Sequence, residues 1–158
     1  MVTKKILDIL STVTDPEIPV LSVIDLGIIR DVMVNDDSIT ILVSPTYSGC
    51  PAMDMISMNI KLALITAGFH NVQIQQVLSP AWTTDWMTEA GKQKLKGYGI
   101  APPVGKSFDK MYLEELEVAC PQCHSTNTTV ISEFGSTSCK ALFKCNDCKE
   151  PFDYFKCH

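Results

Sequence analysis

Residues 39–51 read Ile39-Thr40-Ile41-Leu42-Val43-Ser44-Pro45-Thr46-Tyr47-Ser48-Gly49-Cys50-Pro51, and this stretch decides the fold. Ile39 to Val43 is a β-branched, apolar run of strand length, which predicts a buried strand. A loop from Ser44 to Gly49 follows, and a helix is predicted from Pro51, since proline suits the first helical position. Met53, Ile56, Ile60 and Leu64 recur at helical spacing and, with Met55 and Leu62, predict one wide apolar face that Gly68 is placed to end. Cys50 falls at the join. As the N-cap it would meet the positive end of the helix, which favours a thiolate. Thr46 and Ser48 add hydroxyls, and Gly49 allows a sharp turn. The plain alternative is a small buried hydrophobe, the usual state of a free cysteine.

The flanks complete the pattern. Lys4 to Val13 has helical apolar spacing and stops at Thr14-Asp15-Pro16-Glu17-Ile18-Pro19, because neither proline continues a helix. Ser22 to Gly27 reads as irregular, with Gly27 a turn residue. Ile28 to Val34 predicts a strand, Asn35-Asp36-Asp37 a hairpin turn, and Phe69 to Leu78, with Val72, Ile74 and Val77, a third strand. Thr83 or Thr84 caps a further helix through Trp86, Ala90 and Leu95. Ile100 to Lys110, with Pro102-Pro103 and Gly105, reads as a linker. The expectation is an α+β protein: a small α-β-β-α-β-α sandwich over residues 1–99, a linker over 100–113 and a separate module over 114–158.

Composition narrows the function. The chain has 158 residues, a net charge of -5 and seven cysteines. From Met111 onward four lysines stand against seven acids, 4 - 7 = -3, which argues against a nucleic-acid-binding ribbon, because phosphate neutralisation needs basic surface. No apolar run approaches the roughly 20 residues of a membrane span. The N-terminus does not read as a signal peptide. A cytoplasmic protein is expected, where cysteines more often bind metal or react than form disulfides.

Six of the seven cysteines lie from Cys120 onward. Cys120-Pro121-Gln122-Cys123 and Cys145-Asn146-Asp147-Cys148 are two C-x2-C knuckles with 21 residues between them. Thr128 to Phe134 and Lys140 to Lys144 can pair as strands around Gly135-Ser136. That is the plan of a zinc ribbon, whose four thiolates close a tetrahedron and leave no position for substrate. Iron on the same thiolates is the rival. Cys139, Cys157 and His158 remain: core and chain end on one reading, a second thiolate–imidazole site on the other. For Cys50 no adjacent histidine or second local cysteine supplies a base or redox partner, which weakens a thiol-dependent catalytic subunit. Asp15, Glu17, Asp25 and Asp54 are candidate acidic neighbours.

Asp15-Pro16-Glu17, Asp25-Leu26-Gly27-Ile28-Ile29 and Thr46-x3-Cys50-Pro51, in that order, resemble the signature of the small SufT-like family of iron–sulfur cluster assembly proteins, over about residues 3 to 80. Phe134 to Leu142 and Glu150 to His158 resemble the phenylacetate-degradation protein D family, accessory subunits of the phenylacetyl-CoA epoxidase system. The resemblance implies a non-catalytic maturation factor with a working thiol at Cys50, a loop shaped by Thr46, Asp15 and Asp25, and transient iron or an iron–sulfur cluster at that thiol. It also implies structural zinc on Cys120, Cys123, Cys145 and Cys148, with epoxidase subunits or their reductase as partners. A homodimer fits this role as well. His124 departs from the glycine common after the first knuckle; it could strain the loop or reach toward the metal, and the plain alternative is a surface histidine.

Overall fold

The computed structural model describes residues 1–104 and 110–156. The chain divides into two compact units, Met1–Trp82 with Trp86–Gly91, and Thr83–Asp85 with the residues from Lys92 onward. Among the described residues no helix is long and apolar enough to cross a membrane.

The first unit holds helix α1 (Val2–Leu10), strands β1 (Ile29–Val34) and β2 (Ile39–Val43), helix α2 (Ala52–Thr66) and strand β3 (Val72–Gln76). β1 and β2 pair antiparallel, β2 and β3 parallel, and β2 lies central in the order β1-β2-β3. The central strand is the apolar run: Ile39, Ile41 and Val43 are buried. α2 is the crossover that a parallel β2–β3 pair requires. It ends in a Schellman motif. Gly68 sits at φ 99°, its N–H donates to Ile65 O, and Phe69 N–H donates to Leu64 O, which satisfies the last free carbonyls of the helix.

α2 corrects one expectation. Ala52, Met53, Ile56, Ile60 and Leu64 are buried, but Met55 and Leu62 are 51% and 61% exposed. They lie on the opposite side of the helix from the core stripe, since each residue advances about 100°.

The irregular stretch before β1 is core. Ile18, Leu21, Val23, Leu26 and Ile28 are buried. The chain is held there by a bridge between Thr14 and Ser22 and by Asp25, whose carboxylate accepts from Ser22 N–H at 3.0 Å and Thr88 Oγ1 at 3.2 Å. Trp82 Nε1 donates to Leu26 O at 2.8 Å. The helix expected through Trp86 starts later. Thr84–Trp86 is a 3-10 turn, and helix α3 (Glu89–Gly97) opens with Gly91 N–H on Thr88 Oγ1 at 2.9 Å. Thr88, not Thr83 or Thr84, supplies the cap, and Trp86 is left outside the helix, where the Arg30 guanidinium stacks 3.8 Å from its ring.

The second unit contains strand β4 (Ile100–Ala101), helix α4 (Lys110–Glu115) and strands β5 (Thr128–Ser132), β6 (Lys140–Cys145) and β7 (Pro151–Phe155). The sheet order is β4-β7-β6-β5. Ile100 and Ala101, read from sequence as linker, are the edge strand of this sheet, paired parallel with Asp153 and Tyr154. The expected β5–β6 hairpin is present, and β7 adds a third antiparallel strand. The core is aromatic. Phe143 stacks on Phe152 at 5.8 Å and meets Tyr154 edge-on at 5.5 Å, with Leu113, Val118, Cys120 and Cys145 around them. Phe134 is 48% exposed and is not part of this core.

Candidate functional site

Two cysteine sites stand in the two units. The first is the loop from β2 to α2. Its root is fixed by Ser44, which is buried; its N–H donates to Ile28 O at 2.8 Å and its hydroxyl to Val77 O at 2.7 Å. Gly49 has φ 77°, the left-handed turn that aims the next residue at the helix. Cys50 is half-buried. It is not the N-cap. Pro51 occupies that position, and Cys50 O instead closes a tight turn with Met53 N–H at 3.2 Å.

The thiol differs from expectation. Burial pushes the Cys50 pKa above its ordinary value. Hydrogen bonds from the Ala52 N–H and the Tyr47 hydroxyl act the other way, but the nearby negative charges of Glu17 and Asp15 add to the burial. At neutral pH the sulfur therefore keeps its proton. Desolvation of a half-buried sulfur outweighs the helix end. Asp15 is held by an Asx turn, its Oδ1 accepting from Glu17 N–H at 2.7 Å and Ile18 N–H at 2.8 Å. Glu17 and Asp15, both candidate neighbours in the sequence, act on the thiol through their charge. Thr46 is half-buried in the same loop. Asp25 has a framework role, buried on Ser22 and Thr88.

The second site is the four-cysteine cluster. Cys120 and Cys148 sulfurs are 3.7 Å apart, Cys123 and Cys145 sulfurs 3.5 Å apart, and all four lie within 4.8 Å of one another. Tetrahedral Zn–S bonds of about 2.3 Å set sulfurs about 3.8 Å apart, so this donor set fits such a metal. Among the described residues this is the one group of three or more cysteine, histidine or acidic side chains close enough to share an ion. Backbone N–H groups point at the sulfurs. Those of Cys148 and Asp147 favour the Cys145 thiolate, with a pKa lowered to about 7. Glu150 N–H does the same for Cys148, but burial and the neighbouring sulfurs push that thiol up to about 12. Four sulfurs this close cannot all ionise without a cation between them.

A polar clasp joins the knuckles. Asp147 accepts from Ser125 Oγ and, at 2.9 Å, from Asn127 Nδ2, and these bonds hold its carboxyl below the usual range. Asn146 Nδ2 bonds Thr129 Oγ1 at 2.9 Å. Nothing in the C-x2-C spacing signals this clasp; only the folded pairing brings residues 125–129 beside 146–147.

The residue after each knuckle takes a left-handed backbone, His124 at φ 65° and Lys149 at φ 68°. His124 is exposed and lies outside the metal-ligating group, so it is a surface histidine and not a reach toward the metal, on a left-handed backbone where glycine would sit more easily. A side chain in this conformation costs about 1 kcal/mol relative to glycine. His124→Gly is therefore expected to stabilise the ribbon by roughly 0.5–1 kcal/mol, read as a higher denaturant midpoint of the second unit at constant metal load. An unchanged or lower midpoint would show that the imidazole makes a compensating contact.

Cys139 is buried, with Thr137 Oγ1 3.1 Å from its sulfur. Beside it lies a residue that sequence reading missed, the buried Lys156. Its ammonium donates to Glu133 O and sits 4.0 Å from the centre of the Phe134 ring. Desolvation lowers its pKa, while Glu133 and Cys139 oppose the shift. Cys157 and His158, expected with Cys139 in a second site, lie outside the described residues.

Known proteins match both units. Residues 3–75 match the family model described as iron-sulfur cluster assembly protein, and residues 106–156 match the PaaD zinc beta ribbon domain. An Escherichia coli (strain K12) protein, named provisionally as the D component of 1,2-phenylacetyl-CoA epoxidase, is 52% identical over 149 residues, 94% of this chain and 89% of that protein. An Fe-S protein maturation auxiliary factor of Porphyromonas gingivalis is 37% identical over 92 residues, 57% of this chain and 87% of the relative. The crystal structure of a domain of unknown function, DUF59, from Bacillus anthracis aligns with a TM-score of 0.55 at 26% identity, covering 58% of this chain and 89% of that one.

Proposed function

Because the chain belongs to the PaaD family of 1,2-phenylacetyl-CoA epoxidase components, we propose that it is a non-catalytic accessory protein that helps mature an iron or iron–sulfur centre of that epoxidase system in the cytoplasm. Cys50 is the exchange ligand for the cargo. Zinc on Cys120, Cys123, Cys145 and Cys148 holds the ribbon together and takes no part in the exchange, because four thiolates leave it no open position.

The observation that carries the role of Cys50 is its setting: one half-buried thiol at the head of α2, within reach of the negative charges of Glu17 and Asp15, which add to burial in holding its proton. Negative charge beside a thiol opposes ionisation by proton loss alone, but favours replacement of the proton by a cation. Binding is then Cys–SH plus a metal cation giving the metal thiolate and a released proton. A single sulfur cannot complete the coordination of iron, so the remaining ligands stay with the donor or the recipient and the metal is held only in passing. The same setting disfavours a nucleophilic thiol, which needs a lowered pKa or a base in reach.

The test is Cys50→Ala in a strain co-expressing the epoxidase subunits and reductase. The metal content of the purified epoxidase system is expected to fall at least about 5-fold, a loss of roughly 1 kcal/mol or more in effective delivery, while zinc in the variant stays near that of the parent. Full loading of the epoxidase by the Cys50→Ala protein would sink the exchange role.

A further inference from the structure

We propose that the outer face of α2 is a self-association surface on which a second copy of this chain packs its own α2, antiparallel across a two-fold axis. The proposal is independent of the metal-exchange reading. α2 has two apolar faces. The inner one fills the core of the first unit. On the other side Met55, Met58, Leu62 and Ile65 are 51%, 66%, 61% and 39% exposed. A helix with apolar side chains on two opposite sides ordinarily has both sides covered.

The spacing identifies the occupant. Steps of 3, 4 and 3 residues are those of a helix–helix packing seam. They also read the same in both directions. Laid antiparallel on a copy of itself, the seam sets Met55 against Ile65 and Met58 against Leu62 on both sides of the axis. Every apolar side chain then finds an apolar partner, the self-complementarity that a two-fold interface demands.

The flanks agree. Asp54 and Lys61 are the charges on this helix and are opposite in sign, so the paired segments carry no net charge although the whole chain carries -5. The other flank is neutral. There Asn59, Leu62, Ala63 and Thr66 form, with Ile9 and Val13 of the α1 side, a groove of about 570 Å³, room for side chains from the opposite copy. Four side chains of roughly 200 Å² each at these exposures offer on the order of 400 Å² per copy, or about 800 Å² for two. The groove walls bring this toward the ~1,000 Å² at which specific interfaces begin. That size fits a reversible dimer with a dissociation constant on the order of 10 μM rather than an obligate one.

Sedimentation velocity on the full-length, metal-loaded protein from about 1 to 500 μM, a range spanning such a constant, provides the test. The mass is expected to rise from one chain toward two. Met58→Glu and Leu62→Lys should each raise the dissociation constant at least about 30-fold, with thermal unfolding confirming that these exposed positions leave the fold intact. An equimolar mixture of the two variants should regain dimer. Across the axis the introduced carboxylate then faces the introduced ammonium, and the other Met58–Leu62 contact is native. A parent protein that stays monomeric throughout, dimers indifferent to both variants, or a mixture that fails to reassociate would each overturn the proposal. If the parent is monomeric and Leu62→Lys instead stops co-purification with the epoxidase subunits, the face belongs to that partner and the proposal also fails.

Discussion

Stripping the metal from the protein with a strong chelator is expected to unfold the second unit and leave the first folded. Cys120 and Cys145 are both ligand candidates and core residues, packed with Phe143, Phe152 and Tyr154. The sheet spans few residues: β6 and β7 together contribute 11, from 6 and 5. A core of this size supplies little stability of its own. Structural zinc in such modules contributes about 10–16 kcal/mol of apparent binding free energy, far above the stability of a small domain. Once it is lost, four close thiols and the clasp of Asp147, Ser125 and Asn127 have no reason to converge. The two units can be followed separately. Both tryptophans, Trp82 and Trp86, belong to the first unit, so their fluorescence should hold while amide signals of Phe143 and Tyr154 collapse to unfolded positions. Cys120→Ser should reproduce the chelated state, whereas Cys139→Ser should keep its metal. Dispersed ribbon signals without metal would refute the structural role.

Much of this is readable from sequence, for identifiable reasons. The strand–loop–helix from Ile39 onward is local: period, length and turn chemistry agree, and the elements fall within a residue or two of expectation. The C-x2-C pairs are also local, and metal chemistry restricts what such pairs can do. Sequence misleads where a tertiary partner decides. Periodicity cannot tell which of two apolar faces of α2 is covered, so Met55 and Leu62 read as core and lie outside it. The thiol of Cys50 follows burial and two acids more than 30 residues upstream, whereas position alone points to the helix end. Ile100 and Ala101 carry no strand signal of their own; they pair because β7 offers an edge. Lys156 is buried because an apolar strand draws its stem inward while the ammonium reaches Glu133 O.

Gly27→Ala is expected to destabilise the first unit by roughly 3–5 kcal/mol, at the upper end of single substitutions. Gly27 has φ 69°, and a Cβ there would lie 2.0 Å from Trp86 O and 2.5 Å from Trp86 C. Neither is the end of a flexible side chain, so backbone must move. The left-handed conformation alone costs alanine about 1–2 kcal/mol. The larger share comes from displacing Trp86, which carries the Arg30 stack, next to a segment fixed by Trp82 on Leu26 O and by Thr88 on Asp25. Gly49 supplies the control. It is also left-handed, at φ 77°, but a Cβ there meets nothing within 4 Å; Gly49→Ala should cost only the conformational part, about 1–2 kcal/mol. The comparison reaches the thiol loop, since Ile28, the neighbour of Gly27, accepts from Ser44 at the root of that loop. Gly27→Ala should therefore also expose Cys50, seen as faster alkylation at neutral pH, because the desolvation that holds its proton is relieved. A denaturation midpoint equal to that of Gly49→Ala would mean that Trp86 yields freely and that Asp25-Leu26-Gly27 does not act as the clamp on which the Cys50 loop rests.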